Sequence, residues 1–89
     1  MIARRVVVSG RVQGVGFRWH TRQRADQLGV MGWVRNAAGG LVEAHVEGDE
    51  QAVESLVEWL ATGPAPAHVT SLDVVSVTLI GAESFDITG

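Results

Sequence analysis

Apolar and polar positions along the chain follow two kinds of pattern, one typical of strands and one typical of helices. The run from Arg4 to Ser9 is rich in valine and predicts a buried strand. After a glycine-rich stretch, four positions recur at spacings of four, four and three, as on one face of a helix. These positions are Phe17, Thr21, Ala25 and Leu28. Gly29 stands where a left-handed helix cap is expected, so the helix should end there.

The middle of the chain predicts a hairpin of two strands. Val30 to Asn36 reads as a second strand, and the small residues at 37–40 predict a turn, because glycine supplies the positive φ angles that hairpin turns need. A third strand follows and ends at Gly48. Its two faces alternate, one carrying Val42, Ala44 and Val46 and the other Glu43, His45 and Glu47. We expect the second of these faces to be solvated.

The last part of the chain predicts a second helix and further strands. Asp49 is a suitable helix N-cap, and Gly63-Pro64 should end the helix. Its buried stripe is predicted to be Ala52, Val53, Leu56, Val57 and Leu60. A long fourth strand is expected from Val69 to Ile80, with a bulge or burial on both faces at Val74-Val75, where the apolar phase changes. Phe85 and Ile87 predict a short closing strand.

The order of these elements predicts the fold class. Two strand–helix–strand units with right-handed crossovers would form an α+β, ferredoxin-like split βαβ sandwich, with two helices covering one face of an antiparallel sheet. The chain has 89 residues, of which 46% are apolar, and we expect residues 1–89 to form a single domain around one core.

Composition excludes several classes of protein, but it allows two interpretations of the uneven charge distribution along the chain. The absence of cysteine excludes a disulfide scaffold and a thiolate nucleophile. Apolar runs are too short for a membrane span and no secretory signal is evident, so we expect a cytoplasmic protein with no membrane partner. Residues 1–42 hold all seven arginines and one acid, whereas residues 43–89 hold nine acids and no lysine or arginine. The two halves either neutralise each other or leave an anion-binding face.

The candidate chemistry lies between the first strand and the first helix, in the segment Gly10–Arg18. Glycines at positions 14 and 16 allow successive backbone N–H groups to form a concave nest at a helix N-terminus, which favours an anion. Arg18 lies in the first helical turn, and its planar guanidinium can donate two parallel hydrogen bonds to phosphate oxygens. On spacing alone, an ordinary tight turn beside a solvated arginine explains the segment equally well.

Other phosphate-binding motifs do not fit this segment. A Walker A loop needs a lysine, and the chain has none. The dinucleotide-binding fingerprint needs a third glycine where this chain has Trp19. The three histidines lie in different elements without metal-ligand spacing, and His20 is placed too far round the helix from Arg18 to act as a phosphohistidine.

Two sequence motifs are more informative than the spacing of the glycines and Arg18. The strings GRVQGVGFR, from Gly10 to Arg18, and LGVMGWVRN, from Leu28 to Asn36, closely resemble the acylphosphatase family. The resemblance continues through Gly40, Val42-Glu43, Gly48, Gly63-Pro64 and Phe85–Ile87, so it covers nearly the whole chain. In one departure from the family pattern, Gly39 stands where the hairpin usually carries Asp or Asn, which softens the turn next to Asn36.

The resemblance implies the ferredoxin-like sandwich and the hydrolysis of acyl phosphates to carboxylate and inorganic phosphate, without a metal or other cofactor. Arg18 would bind the phosphoryl group of this small-molecule substrate, and Asn36 would orient the attacking water. Backbone N–H groups would complete the phosphate site, contributed by Gln13, Gly14, Val15, Gly16 and Phe17. We expect a monomer.

Two alternatives belong to other functional classes. Domains of this kind also occur in larger carbamoyl-transfer proteins, so a non-catalytic module that binds phosphate or carbamoyl phosphate is the main alternative. A base-stacking RNA-binding sheet of similar topology would need aromatic residues on its middle strands, and the third strand has none. The net charge of −3 also argues against a nucleic-acid partner.

Overall fold

The computed structural model describes residues 1–89 and contains five strands and two helices. In chain order these are β1 (Ile2–Arg11), α1 (Phe17–Leu28), β2 (Met31–Ala37), β3 (Leu41–Gly48), α2 (Glu50–Leu60), β4 (His68–Ser76) and β5 (Phe85–Ile87). Neither helix combines the length and the apolar character that crossing a bilayer requires.

The strands form one sheet in the order β4-β1-β3-β2-β5, with both helices packed on it. Each half of the chain forms a strand–helix–strand unit whose two strands are separated by a strand of the other unit, and this confirms the predicted ferredoxin-like arrangement. The first four strands pair antiparallel, but β5 pairs parallel to β2. The sheet is therefore mixed, since the chain crosses from one sheet edge to the other after β4 and then runs in the direction of β2.

The core lies between the helices and one face of the sheet, as the apolar pattern predicts. The helices contribute Phe17, Thr21, Ala25, Val53, Leu56 and Leu60, all buried. The sheet contributes Val6, Val8, Val34, Val42, Ala44 and Val46, each fully buried. Burying one such aliphatic side chain stabilises the fold by about 1.5–3 kcal/mol. Gly29 caps α1 in the left-handed conformation, as predicted, whereas Asp49 precedes α2 without a side-chain capping bond.

The fourth strand differs from its prediction in length and in the position of its irregularity. It ends at Ser76 instead of Ile80, and the residues after it leave the sheet. The register shift lies between Ser9 and Gly10 on the neighbouring strand, and Val74 and Val75 are 41% and 55% exposed. Because β4 is an edge strand at the margin of the helix layer, neither valine has to be buried on either face.

Residues 77–84 form a crossover segment that passes over the open face of the sheet. The backbone N–H groups of Ile80 and Ala82 donate hydrogen bonds to the two carboxylate oxygens of Glu47, at 2.9 and 3.0 Å. His45 and Glu47 are only 1% and 3% exposed, and their side chains lie 2.7 Å apart. The predicted solvated face is therefore wrong for these two residues, because a segment distant in sequence covers them.

The buried carboxylate of Glu47 is stabilised in its charged form. Burial raises its pKa, but hydrogen bonds from His45 and from the backbone of Ile80 and Ala82 outweigh burial, so the pKa of Glu47 lies below its ordinary value. This contribution to stability is fully present above the pKa of an unfolded glutamate, about 4.3, and is lost as the pH falls through the lower pKa of the folded state.

We therefore expect Glu47→Gln to lower the melting temperature at pH 7 and to reduce its decline between about pH 5 and pH 3. The amide of glutamine cannot accept from both backbone N–H groups as the carboxylate does. Thermal unfolding followed by circular dichroism across this pH range tests the expectation. Glu83→Gln is the matched control, since Glu83 is exposed in the same segment. Parallel pH profiles for wild type and Glu47→Gln would contradict the assignment.

Candidate active site

The predicted phosphate-binding segment, Gln13–Arg18, spans most of the loop of residues 12–16 that connects β1 to α1 and the first two residues of α1. Gly14 and Gly16 both adopt left-handed backbone conformations, with φ of 73° and 77°. A Cβ atom added at Gly14 would meet nothing within 4 Å, so there is room for a side chain. Glycine is favoured there by its left-handed backbone conformation and not by lack of space. A turn of this kind directs successive N–H groups to one side, which is how an anion-binding nest forms.

The N-terminus of α1 leaves its first N–H groups available to an external acceptor. Gly16 is the N-cap and makes no side-chain capping bond, and the first turn contains no acidic residue. The unsatisfied N–H groups and the helix dipole therefore favour an anion at this end.

Arg18 lies in this first turn and is half-buried. Its Nη1 donates a hydrogen bond to the main-chain oxygen of Gly89, and that oxygen also accepts from the backbone N–H of Asn36 at 3.0 Å. No aspartate or glutamate side chain pairs with Arg18. Most of its donors are thus available for a ligand, while the contact with Gly89 holds the side chain beside β2.

Asn36 lies near the end of β2, next to the hairpin turn. Its side-chain oxygen Oδ1 is buried and has no hydrogen-bond partner within the protein. An unpaired buried acceptor costs stability, about 1–3 kcal/mol, and such groups deserve a functional explanation. An acceptor at this position suits a ligand that donates a hydrogen bond, such as water.

A cavity of about 200 Å³ brings most of the predicted site residues together. It is lined by Val12, Gly14, Gly16, Phe17, Arg18, Trp19, Asn36 and Ile87. Two of the predicted backbone donors, Gln13 and Val15, are not among the lining residues. Val15 packs against the hydrophobic core. The cavity joins the loop, the helix N-terminus, one guanidinium and one unpaired amide oxygen, a combination suited to a tetrahedral anion and a neighbouring water.

Gln13 has a structural role that the sequence does not reveal. Its side-chain Nε2 donates to the carbonyl oxygens of Ala37 and Leu41, at 3.0 and 2.8 Å. These carbonyls flank the hairpin turn that follows Asn36. The side chain of Gln13 therefore fastens the 12–16 loop to the hairpin. The two contacts join positions that are 24 and 28 residues apart in the sequence, so no local pattern could indicate them.

The other arginines near the site are engaged elsewhere or exposed. Arg35 donates two hydrogen bonds to Glu43 Oε1, at 2.9 and 2.6 Å, and Arg5 donates one to Oε2 at 3.1 Å. The hydrogen bond from Arg35 contributes most to holding the pKa of Glu43 below its ordinary value, against a smaller opposing effect of burial. Both pairs join the basic half of the sequence to the acidic half, whereas Arg11, Arg22 and Arg24 are exposed and form no salt bridge.

His20 also lies outside the cavity, as its position on the helix predicts. Its Nδ1 is 2.7 Å from the carbonyl oxygen of Gly16, which fixes the ring against the start of α1. The carbonyl can only accept, so Nδ1 carries the hydrogen.

Comparisons with known proteins agree on one family. The family model described as Acylphosphatase matches residues 4–87. An acylphosphatase from Nocardioides sp. is 52% identical over 82 residues, which cover 92% of this chain and 83% of that protein. The crystal structure of the acylphosphatase from Bacillus subtilis superimposes with a TM-score of 0.96 at 40% identity, over 100% of both chains.

The same fold also occurs as part of a much larger protein. The structure of full-length HypF in a phosphate- and nucleotide-bound form matches with a TM-score of 0.92 at 29% identity. The match covers 99% of this chain but 12% of that one. The domain is thus found both alone and within a longer polypeptide.

Proposed function

The chain belongs to the acylphosphatase family, and on that premise we propose that it hydrolyses acyl phosphates in the cavity between the 12–16 loop and Asn36. The substrate is a small-molecule acyl phosphate and inorganic phosphate is a product, as the family implies. One observation supports this location above the others: the left-handed loop, Arg18 and Asn36 line a single cavity although they come from separate parts of the sequence.

In the proposed mechanism, the phosphoryl group lies at the N-terminus of α1. Backbone N–H groups of the loop and the guanidinium of Arg18 donate to its oxygens and stabilise the charge that develops in the transition state. Of the five predicted backbone donors, Gly14, Gly16 and Phe17 line the cavity and Gln13 and Val15 do not, so we assign the phosphoryl oxygens to the N–H groups of the first three.

The unpaired Oδ1 of Asn36 accepts a hydrogen bond from the attacking water and aligns it with phosphorus. The water oxygen forms a bond to phosphorus while the bond to the carboxyl oxygen breaks, and the acid leaves as a carboxylate. One water proton passes to a phosphoryl oxygen, so the products are a carboxylate and dihydrogen phosphate. A carboxylate leaves without protonation, and positioning with charge stabilisation is therefore sufficient.

The test is hydrolysis of benzoyl phosphate by the wild-type chain in excess EDTA. We expect turnover well above the uncatalysed rate, unaffected by the chelator, because no step of the proposed mechanism uses a metal ion. A folded chain that binds inorganic phosphate without turnover would overturn the proposal. It would instead favour a non-catalytic phosphate- or carbamoyl-phosphate-binding module, which the likeness to a domain-sized part of HypF makes the second candidate.

The contacts of Gln13 lead to a further expectation for this activity. Gln13→Ala should lower kcat/KM for benzoyl phosphate about 10-fold, because the loop loses its attachment to the hairpin that carries Asn36. Losing two hydrogen bonds should also reduce the free energy of unfolding by about 1–3 kcal/mol. Steady-state kinetics and chemical denaturation measure the two effects.

Two variants control this experiment. Gln13→Glu has nearly the same shape but no N–H to donate to the two carbonyls, so it should be at least as impaired as Gln13→Ala. Gln23→Ala removes an exposed glutamine from α1 and should match wild type. Full activity in Gln13→Glu would show that shape, and not the hydrogen bonds, holds the loop.

We also propose that the chain acts as a cytoplasmic monomer without nucleic-acid or membrane partners and that residues 1–89 work as one domain. The net charge of −3 supports the absence of a polyanionic partner. Light scattering coupled to size-exclusion chromatography tests the oligomeric state, with a mass near 9.5 kDa expected.

A further inference from the structure

An exposed tryptophan lies at the opening of the proposed active site. Trp19 follows Arg18 in the first turn of α1, lines the same cavity and leaves 56% of its surface exposed. Its indole plane is nearly perpendicular to the ring of His20, at 87°, with ring centroids 5.0 Å apart. A large aromatic side chain that lines a cavity and stays this exposed is placed to contact a ligand there.

Trp19 belongs to an apolar wall. Val12, Phe17 and Ile87 line the cavity with it. Val12 and Phe17 are almost fully buried, whereas Ile87 is 37% exposed. Trp19 and Ile87 are therefore the apolar residues of the cavity that remain accessible from solvent. They come from separate elements, one from α1 and the other from the edge strand β5.

The proposed reaction indicates that the acyl group of the substrate lies against this apolar wall. When the phosphoryl group lies at the helix N-terminus, the acyl group is attached through the bridging oxygen and must project towards the cavity opening. Arg18 is the only charged residue that lines the cavity, and its guanidinium is assigned to the phosphoryl group. The cavity therefore offers the acyl group apolar side chains and no second charged residue that could bind a charged acyl group.

We propose that Trp19 and Ile87 form an acyl-binding subsite that selects acyl phosphates with an aromatic or bulky apolar acyl group over acetyl phosphate. This inference rests on the proposed function. The indole face stacks on an aryl acyl group, and Ile87 packs against its opposite edge. A methyl group is too small to contact both residues, so acetyl phosphate is bound through its phosphoryl group alone.

The experiment compares kcat/KM for benzoyl phosphate with kcat/KM for acetyl phosphate. In Trp19→Ala, the ratio of the two values should fall about 3- to 10-fold, mostly through a higher KM for benzoyl phosphate. Trp19→Phe keeps an aromatic ring and should retain most of the wild-type ratio. Ile80→Ala removes a side chain that is equally exposed, at 59%, but lies in the crossover segment, and it should leave the ratio unchanged.

The possible outcomes separate this inference from the function on which it rests. If the wild-type chain hydrolyses both substrates and Trp19→Ala lowers both values by the same factor, Trp19 supports the loop and the acyl-binding subsite is wrong. If both values stay at the wild-type level in Trp19→Ala, the subsite is also wrong, while the proposed hydrolysis is unaffected. If wild type hydrolyses neither substrate, the proposed function fails and the subsite fails with it.

Discussion

Replacing Arg18 with alanine is expected to lower kcat/KM for benzoyl phosphate by about 10²- to 10³-fold while the chain remains folded. The guanidinium is the only charged group lining the cavity, and its removal would delete the charge-assisted hydrogen bonds that we propose it donates to the phosphoryl oxygens. The backbone N–H groups of the loop and the helix N-terminus remain, and for this reason residual catalysis above the uncatalysed rate is expected.

The fold should tolerate this substitution because Arg18 contributes little to it. The side chain makes one hydrogen bond, to the main-chain oxygen of Gly89, and pairs with no aspartate or glutamate side chain. Melting temperature measured alongside the kinetics should change by only a few degrees. Arg22→Ala, which removes an exposed arginine from the same helix, is the matched control and should be fully active.

Arg18→Lys tests whether charge alone is sufficient. Lysine keeps the positive charge but offers a point charge where arginine offers a planar fork, so activity should be recovered only in part. Full recovery would show that the geometry of the guanidinium is not used. Unimpaired hydrolysis by a folded Arg18→Ala would remove the phosphoryl group from this cavity altogether.

Asn36→Ala should lower kcat by about 10²-fold or more, with little change in the affinity for inorganic phosphate. The side chain is proposed to align the attacking water, and a nucleophile displaced by about 1 Å can cost this much in rate. The phosphate-binding groups lie on the loop and on α1, so they should be unaffected. Steady-state kinetics give kcat, and competitive inhibition by phosphate gives the affinity.

Stability provides an independent readout for Asn36. Because its Oδ1 is buried without a partner, removing it should leave the melting temperature unchanged or raise it. A variant that is inactive yet at least as stable as wild type would indicate a residue retained for catalysis at the expense of the fold. If phosphate affinity collapses in Asn36→Ala, the water-orienting role is wrong and the residue binds the phosphoryl group instead.

The parts of the fold that depend on local patterns could be predicted from the sequence. The helix from Phe17 to Leu28 and its glycine cap follow from spacing and from the conformational freedom of glycine, and both agree with the structure. The core side of the sheet also follows, because alternation in the third strand places Val42, Ala44 and Val46 together. Such features depend on residues a few positions apart.

The errors arise where distant segments meet. The third strand alternates apolar and polar residues, and a local reading places His45 and Glu47 in solvent. Nothing near them in sequence shows that the crossover segment will cover that face and that its N–H groups will satisfy the carboxylate. No local pattern indicates the parallel pairing of β5 either, because that pairing depends on the route of the chain after Ser76.

The candidate site also has one part that could be predicted from the sequence and another part that could not. The glycines of the loop and Arg18 lie within one short segment, so their proximity could be predicted from the residues alone. Asn36 was assigned by resemblance to a family, and no spacing rule could have placed it across the cavity from the loop. The attachment of Gln13 to the hairpin and the position of Ile87 beside Trp19 required the tertiary structure.

The strand order has a consequence for how the protein is made. β1 leaves the ribosome before the other four strands of this sheet, yet it lies inside the sheet, where Val6 pairs with Ala44 on one side and Val74 on the other. Its valines therefore stay unpaired until most of the chain has been synthesised. Sheets dominated by such distant pairings fold slowly, in roughly milliseconds to seconds. The newborn polypeptide thus passes through a period of exposure in which chaperone binding and self-association compete with folding.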